Sequence, residues 1–163
     1  MLQKKQILKL SSQQSELLKV ESFVESICDE FSINNNYFGI ILIAVTEAVE
    51  NAIKHGNHNE AEKEVIVTFE SGQSGLTFTI ADQGQGFDFN SVSDPTQENI
   101  NPEQGRGIYL MKSLADEVNF GETGSQINLI FKIASINNEL SVDRISQLKK
   151  YSEVKSKEHQ ENK

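Results

Sequence analysis

Thr46-Glu47-Ala48-Val49-Glu50-Asn51-Ala52-Ile53-Lys54-His55-Gly56 is the stretch from which the rest of this chain can be read. At ~100° per residue, Glu47, Asn51 and His55 align a carboxylate, a carboxamide and an imidazole as one polar stripe along a helix. Phe38, Ile41, Leu42, Val45, Val49, Ala52 and Ile53 take the opposite side, giving the helix an apolar face for a core and a polar face for something else. No polar side chain interrupts residues 39–45. Glu47 therefore falls at the edge of the core, where burial is costly unless a cation or a hydrogen-bond donor meets the carboxylate. A metal-bound phosphate and the nucleophile attacking it would meet it. Glu50 points off the stripe, toward solvent.

Composition narrows the setting. A chain of 163 residues, 37% hydrophobic, suits one compact domain whose core needs no covalent staples. The single cysteine, Cys28, has no internal partner and falls in an apolar helical pattern, which implies a packing role and a reducing compartment. The first residues, Met1-Leu2-Gln3-Lys4-Lys5-Gln6, lead into no apolar leader, and the apolar run 37–45 is far short of the ~20 residues of a membrane span. A cytoplasmic protein with no membrane segment is expected. The net charge of −9 opposes nucleic-acid binding and favours basic protein partners.

Around the central stretch the pattern changes period in an orderly way. Residues 6–10 read as a strand, and Ser11-Ser12 as the cap of a helix whose apolar positions are Leu17, Val20, Val24, Ile27, Cys28 and Phe31. Asn34-Asn35-Asn36 caps the second helix, 37–55, which stops at Gly56 and an Asn-His-Asn loop. Residues 64–70 and 76–81 are β-rich and joined by Ser71-Gly72-Gln73-Ser74-Gly75, a hairpin. The hairpin runs directly into Asp82-Gln83-Gly84-Gln85-Gly86. Residues 88–104 form a polar, acidic segment longer than a compact domain keeps without purpose, and a mobile lid is the usual purpose. Gly105-Arg106-Gly107 opens a third helix through Ile108, Met111, Leu114 and Ala115. Strands follow at 117–121 and 126–133, with Ile127, Leu129, Phe131 and Ile133 on one face. The boundary after 134 separates this domain from a polar extension, 135–163, in which Ile145, Leu148, Tyr151 and Val154 mark a short amphipathic helix before a frayed tail.

Two other nucleotide motifs fail on spacing. Gly84-Gln85-Gly86 meets Phe89, and Gly105-Arg106-Gly107 meets Leu110, where a dinucleotide fingerprint needs a third glycine. No Gly-x-x-x-x-Gly-Lys followed by Ser or Thr occurs, which removes the P-loop. What remains is an order: a helix bearing Glu and Asn, a strand ending in Asp-x-Gly-x-Gly, a polar loop, and Gly-x-Gly at a helix start. Physical chemistry gives each piece a use. Magnesium takes oxygen ligands and keeps several waters, so the Asn51 carboxamide with triphosphate oxygens suffices. Glycines at a helix start expose N–H groups that favour phosphate, and Arg106 between them adds a charge or faces solvent. Asp82 at a strand end accepts from an exocyclic amine, which prefers adenine over guanine. Each piece also has a plain structural reading: a buried, satisfied carboxamide, a turn after a strand, helix-entry flexibility, and a His55 favoured by the helix macrodipole.

In that order of motifs the sequence resembles the GHKL ATPase/kinase superfamily, which carries the Bergerat nucleotide-binding fold, over residues 6–134. It is most similar to the anti-sigma-factor serine/threonine kinases. The resemblance implies an α+β two-layer sandwich, a mixed, mostly antiparallel sheet covered on one face by helices, with ATP and Mg2+ as cofactors. It implies Glu47 as the general base and Asn51 as the magnesium ligand. It puts Asp82 on the adenine amino group, Gly84 and Gly86 beside the nucleotide, and Gly105, Arg106 and Gly107 beside the phosphates. Lys54 and His55 fall where the family carries polar or basic residues near the phosphates, and Ser125 where a small hydroxyl reaches the adenine side through water. A sigma factor and an antagonist protein carrying the phosphorylated Ser/Thr are the implied partners, and a homodimer is common in such kinases.

Two other classes share parts of the pattern. A sensor-histidine-kinase catalytic domain has the same motifs but calls for a phosphoacceptor histidine on an upstream helix, and residues 13–31 contain none. A non-catalytic partner-switching module would not need Glu47, which is retained.

Overall fold

The computed structural model describes residues 3–73, 75–86, 102–132, 134 and 145–150, with the backbone alone at 102–104. Strand β1 (Lys5–Ser11) is followed by a 3-10 turn (Gln14–Glu16), helices α1 (Leu17–Glu30) and α2 (Asn35–Asn51), and a π-helical turn (Ala52–Gly56). Strands β2 (Glu64–Ser71) and β3 (Gly75–Ala81), helix α3 (Pro102–Leu114) and strands β4 (Glu117–Phe120) and β5 (Gln126–Lys132) complete it. The sheet order is β1-β2-β3-β5-β4, and every pairing among the described residues is antiparallel. The expected sandwich is therefore present, without the parallel pairing that a mixed sheet implies.

Alternation builds the core. Val65, Val67 and Phe69 of β2, Leu76, Phe78 and Ile80 of β3, and Ile127, Leu129 and Phe131 of β5 all point to one face and are buried. The register sets Phe69 opposite Phe78 and Phe78 opposite Leu129. A chain of rings results: Phe31–Phe69 at 5.5 Å, Phe69–Phe78 at 5.2 Å, Phe78–Phe131 at 6.1 Å and Tyr37–Phe131 at 6.2 Å between centroids. The other face carries Lys5, Lys9 and the exposed Ile7 on β1, as expected of an antiparallel sheet with one wet side.

Helix α2 packs against α1 on one side, α3 on the other and the sheet below. Its length and composition would suffice to cross a membrane over Asn35–Gly56. Here it is the central helix of the domain, with Tyr37, Ile40, Ile41, Ala44, Val45, Ala48 and Val49 buried. The apolar side is thus wider than the sequence pattern suggests, because three neighbours enclose the helix rather than one. Asn34 caps it as expected, accepting from the Tyr37 N–H at 2.9 Å. Cys28 is buried in α1, and desolvation together with the neighbouring Asp29 charge pushes its thiol up to about 12.

Three expectations need correction. Ser11 and Ser12 do not cap α1, which begins after a 3-10 turn; the Ser12 hydroxyl donates instead to the Lys63 carbonyl at 2.8 Å. Gly105 and Gly107 do not open α3, because the helix already begins at Pro102, a residue whose missing N–H suits the first turn. Glu50 is half-buried rather than solvated, accepting from Lys54 at 3.3 Å and Gln14 at 3.1 Å. The lid expected at 88–104 lies outside the described residues up to the start of α3. Within the extension, residues 145–150 are helical, and Ile145 and Leu148 pack against the core.

Phe78 sits at the middle of the ring chain, and its replacement removes contacts on both sides. Phe78→Ala is expected to cost about 3–5 kcal/mol, read as a lower urea midpoint at unchanged slope.

Candidate nucleotide-binding site

Helix α2 brings Glu47 and Asn51 to the same place, and Gly107 of α3 shows which. A Cβ on Gly107 would lie 3.0 Å from Asn51 Nδ2 and 3.1 Å from Glu47 Oε2. The two side chains therefore converge on a backbone that glycine keeps bare. Glu47 and Asn51 are both half-buried, at the boundary the sequence predicts. Gly105 is buried and Arg106 half-buried on the same turn of α3.

Asn51 also lines a cleft with Ala48, Ala52, Gly56, Ile80, Asp82, Met111, Phe120, Gly124, Gln126 and Ile127. Ile80, Met111, Phe120 and Ile127 give this cleft apolar walls, and Asp82 supplies its carboxylate. Those walls are the residues that motif reading missed. Alternation puts Ile80 and Ile127 on the inner face, but nothing in the sequence separates a wall of the cleft from ordinary core.

Asp82 is held from several directions. Its N–H donates to the Ser125 carbonyl at 2.9 Å, and its Oδ1 accepts from the Gly84 N–H at 2.8 Å. Gly84 packs so closely on the Gly56 carbonyl that a Cβ there would overlap it, and a Cβ on Gly56 would overlap the Asp82 carboxylate. Gly86, at φ +80°, lies against the Thr123 carbonyl in the left-handed region that favours glycine. Ser125, between the cleft-lining Gly124 and Gln126, has its hydroxyl paired to Thr123 Oγ1 at 2.8 Å. Burial raises the Asp82 carboxyl above its usual range, against the opposing pull of the Gly84 N–H and the charges of His58 and Lys63.

The polar stripe does not continue to His55. The turn from Ala52 to Gly56 is π-helical, closed by Asn57 N–H to the Ala52 carbonyl at 2.8 Å, so the advance per residue is smaller than 100°. His55 and Lys54 are exposed, and Lys54 pairs with Glu50. Neither lines the cleft beside Asn51 and Asp82. Beyond the π turn, Asn57 is fully buried although its surroundings in sequence, Asn-His-Asn, read as a solvated loop. Its Nδ2 donates to Ser12 Oγ at 2.8 Å and to the Glu64 carbonyl at 2.9 Å, and its Oδ1 accepts from the Gln83 N–H at 2.8 Å.

On the far side of Glu47 a groove of about 450 Å3 runs between α1 and α2, lined by Leu17, Leu18, Leu42, Ile43 and Thr46. Glu47 lines this groove, and at Gly107 it converges with Asn51, which lines the apolar cleft. Among the described residues no three His, Cys, Asp or Glu side chains cluster to hold a metal by themselves.

An apolar cleft between sheet and helices, a half-buried aspartate on a glycine turn, and an Asn-bearing helix facing a second glycine turn define a class of nucleotide-binding domain. The chain belongs to the histidine kinase-like ATPase domain family, whose model matches residues 10–131. Its relatives are more particular. It is 39% identical over 87 residues to the serine-protein kinase RsbW of Bacillus velezensis, covering 47% of this chain and 52% of that protein. It is 37% identical over 97 residues to the serine-protein kinase RsbW of Staphylococcus epidermidis, covering 54% and 61%. The chain thus spans little more than half the length of these curated relatives. The crystal structure of the RsbU and RsbW domains of a Mycobacterium tuberculosis protein shares the fold, with a TM-score of 0.57 at 17% identity over 78% of this chain and 32% of that one. The superfamily and the sandwich fold expected from the sequence are both borne out.

The raised Asp82 carboxyl has a sign that can be tested. The folded state holds this proton more tightly than the unfolded chain, so ionised Asp82 costs stability, and the cost grows as pH rises from the ordinary carboxylate range through the raised value. Asp82→Asn is therefore expected to raise the melting temperature at neutral pH, with the gain shrinking toward about pH 4. Melting curves across that range check it.

Proposed function

We propose that this chain is an ATP-dependent serine/threonine protein kinase of the anti-sigma-factor type, which phosphorylates an antagonist protein and sequesters a sigma factor. The observation that carries the reading is the convergence of Glu47 and Asn51 on Gly107, with Asn51 also lining the cleft that contains Asp82. The relatives named serine-protein kinase support the choice of serine or threonine as acceptor.

Each residue has a task that its chemistry suits. Adenine would lie between the apolar walls, donating its amino group to Asp82; Oδ1 already serves Gly84, which leaves Oδ2 for the nucleotide. Gly84 and Gly86 let backbone approach the base, with Ser125 on the adenine side. The Asn51 carboxamide oxygen would ligate magnesium, whose charge offsets that of the phosphate oxygens when it is bound. Gly105, Arg106 and Gly107 would flank the phosphates. Lys54 and His55, both exposed, are a looser part of the assignment. Glu47, which lines the open groove and converges with Asn51 at Gly107, would take the proton of the substrate hydroxyl as its oxygen bonds to phosphorus and ADP leaves. In-line transfer leaves little else for the protein to do than hold these groups in position.

Residues 1–134 form the ATP-binding kinase domain in this proposal and 135–163 an extension. The protein would work in the cytoplasm, without membrane or nucleic acid, and a homodimer is the expected assembly.

Calorimetric titration with ATP, with and without magnesium and with GTP as control, tests the nucleotide assignment: magnesium-dependent binding selective for ATP is expected. Glu47→Gln keeps shape but cannot accept a proton. It is expected to bind Mg-ATP normally while transfer to the antagonist falls about 100-fold or more, and unchanged turnover would remove Glu47 as the base.

A further inference from the structure

Asn57 is a polar side chain with no solvent exposure and three good hydrogen bonds, in a loop where the sequence promises none. Such a group is costly to bury, so what it joins is informative. It joins four segments: the end of β1 through Ser12, the entry to β2 through Glu64, the end of the π turn through its own backbone, and the turn after β3 through Gln83. Gln83 is the residue immediately after Asp82. Its side-chain oxygen reaches back to accept from the Glu64 N–H at 2.7 Å, so Gln83 is held at both backbone and side chain. On the other side of Asp82, its own N–H is held by the Ser125 carbonyl.

We propose that Asn57 is the positioning residue of the Asp82 carboxylate, and through it a determinant of base selectivity. The bond from the Gln83 N–H fixes the peptide plane that leaves Asp82, while the Ser125 carbonyl fixes the one that enters it. The backbone of Asp82 then has no freedom to turn. With Oδ1 engaged by Gly84, Oδ2 presents one fixed acceptor to the cleft. Removing the Asn57 acceptor frees the outgoing plane, and an acceptor that wanders by an ångström discriminates poorly between bases. The Asn57 side chain is not part of the cleft lining, and its link to Asp82 runs through the Gln83 N–H. The role depends on the nucleotide assignment proposed above.

The experiment compares ATP with its 6-desamino analogue, purine riboside triphosphate, by calorimetry well below the melting transition. The wild-type protein is expected to prefer ATP, and Asn57→Ala to lose roughly tenfold of that preference, as for a weakened hydrogen bond to a charged acceptor. Binding of the desamino analogue should change little. Ser12→Ala removes two other bonds of the same network, those to Asn57 Nδ2 and the Lys63 carbonyl, but leaves Gln83 held, so it should lower the melting temperature and keep the preference, including where Asn57→Ala fails to fold. Equal weakening of both nucleotides in Asn57→Ala would make Asn57 a support of the whole cleft and overturn the proposal. Loss of preference in Ser12→Ala would do the same. A wild-type protein that binds both nucleotides equally would remove the adenine contact of Asp82 itself, and one that binds neither would remove the nucleotide assignment; the positioning role falls with either.

Discussion

The contact on which the site depends is the approach of one backbone to another where Gly56 meets Gly84. Helix α2 is clasped by α1, α3 and the sheet, and the chain leaves its C-terminal end through the π turn. That exit runs against the turn after β3, at a distance that no side chain on Gly84 would permit. The Asp82 carboxylate occupies the space above Gly56 for the same reason. Helix and turn are thereby brought into one cleft, which is how residues 31 positions apart in sequence, Asn51 and Asp82, come to face the same ligand volume.

Burial and polarity make opposite demands on α2. A helix packed on three sides is stabilised by apolar side chains all round, yet Glu47 and Asn51 must remain polar. The conflict is settled by α3, which offers a glycine rather than a side chain to this pair. The cleft shows the same compromise: apolar walls that suit a flat base also desolvate Asp82, whose carboxyl is raised in consequence. Stability is given up at Asp82 where its carboxylate lines the cleft.

Period and punctuation carried most of the fold in the sequence. Strand alternation in 64–70, 76–81 and 126–133 and the Asn34 cap correspond to the structure to within a residue or two. Element ends were less legible where a side chain served a distant partner. Ser12 looks like a helix cap until Lys63 and Asn57 are seen beside it, and α3 begins before its glycines because Pro102 suits a first turn. The placing of Glu47 and Asn51 on one helix, and of Asp82 at the end of a strand before Gly84, is legible because local geometry sets their spacing. That of Asn57 is not, because its three bonds all reach across tertiary structure from a segment with the composition of a loop. His55 leaves the polar stripe for a different reason: the regular helical period does not hold where the chain makes a π turn.

Cys28 has a use that its burial creates. A thiol with so raised an affinity for its proton, inside α1 and away from the cleft, does not react while the domain is closed. It becomes accessible when the packing that buries it opens. As the chain's sole sulfhydryl, it makes the rate of alkylation a clock for that opening, one that the native sequence carries without any engineered label.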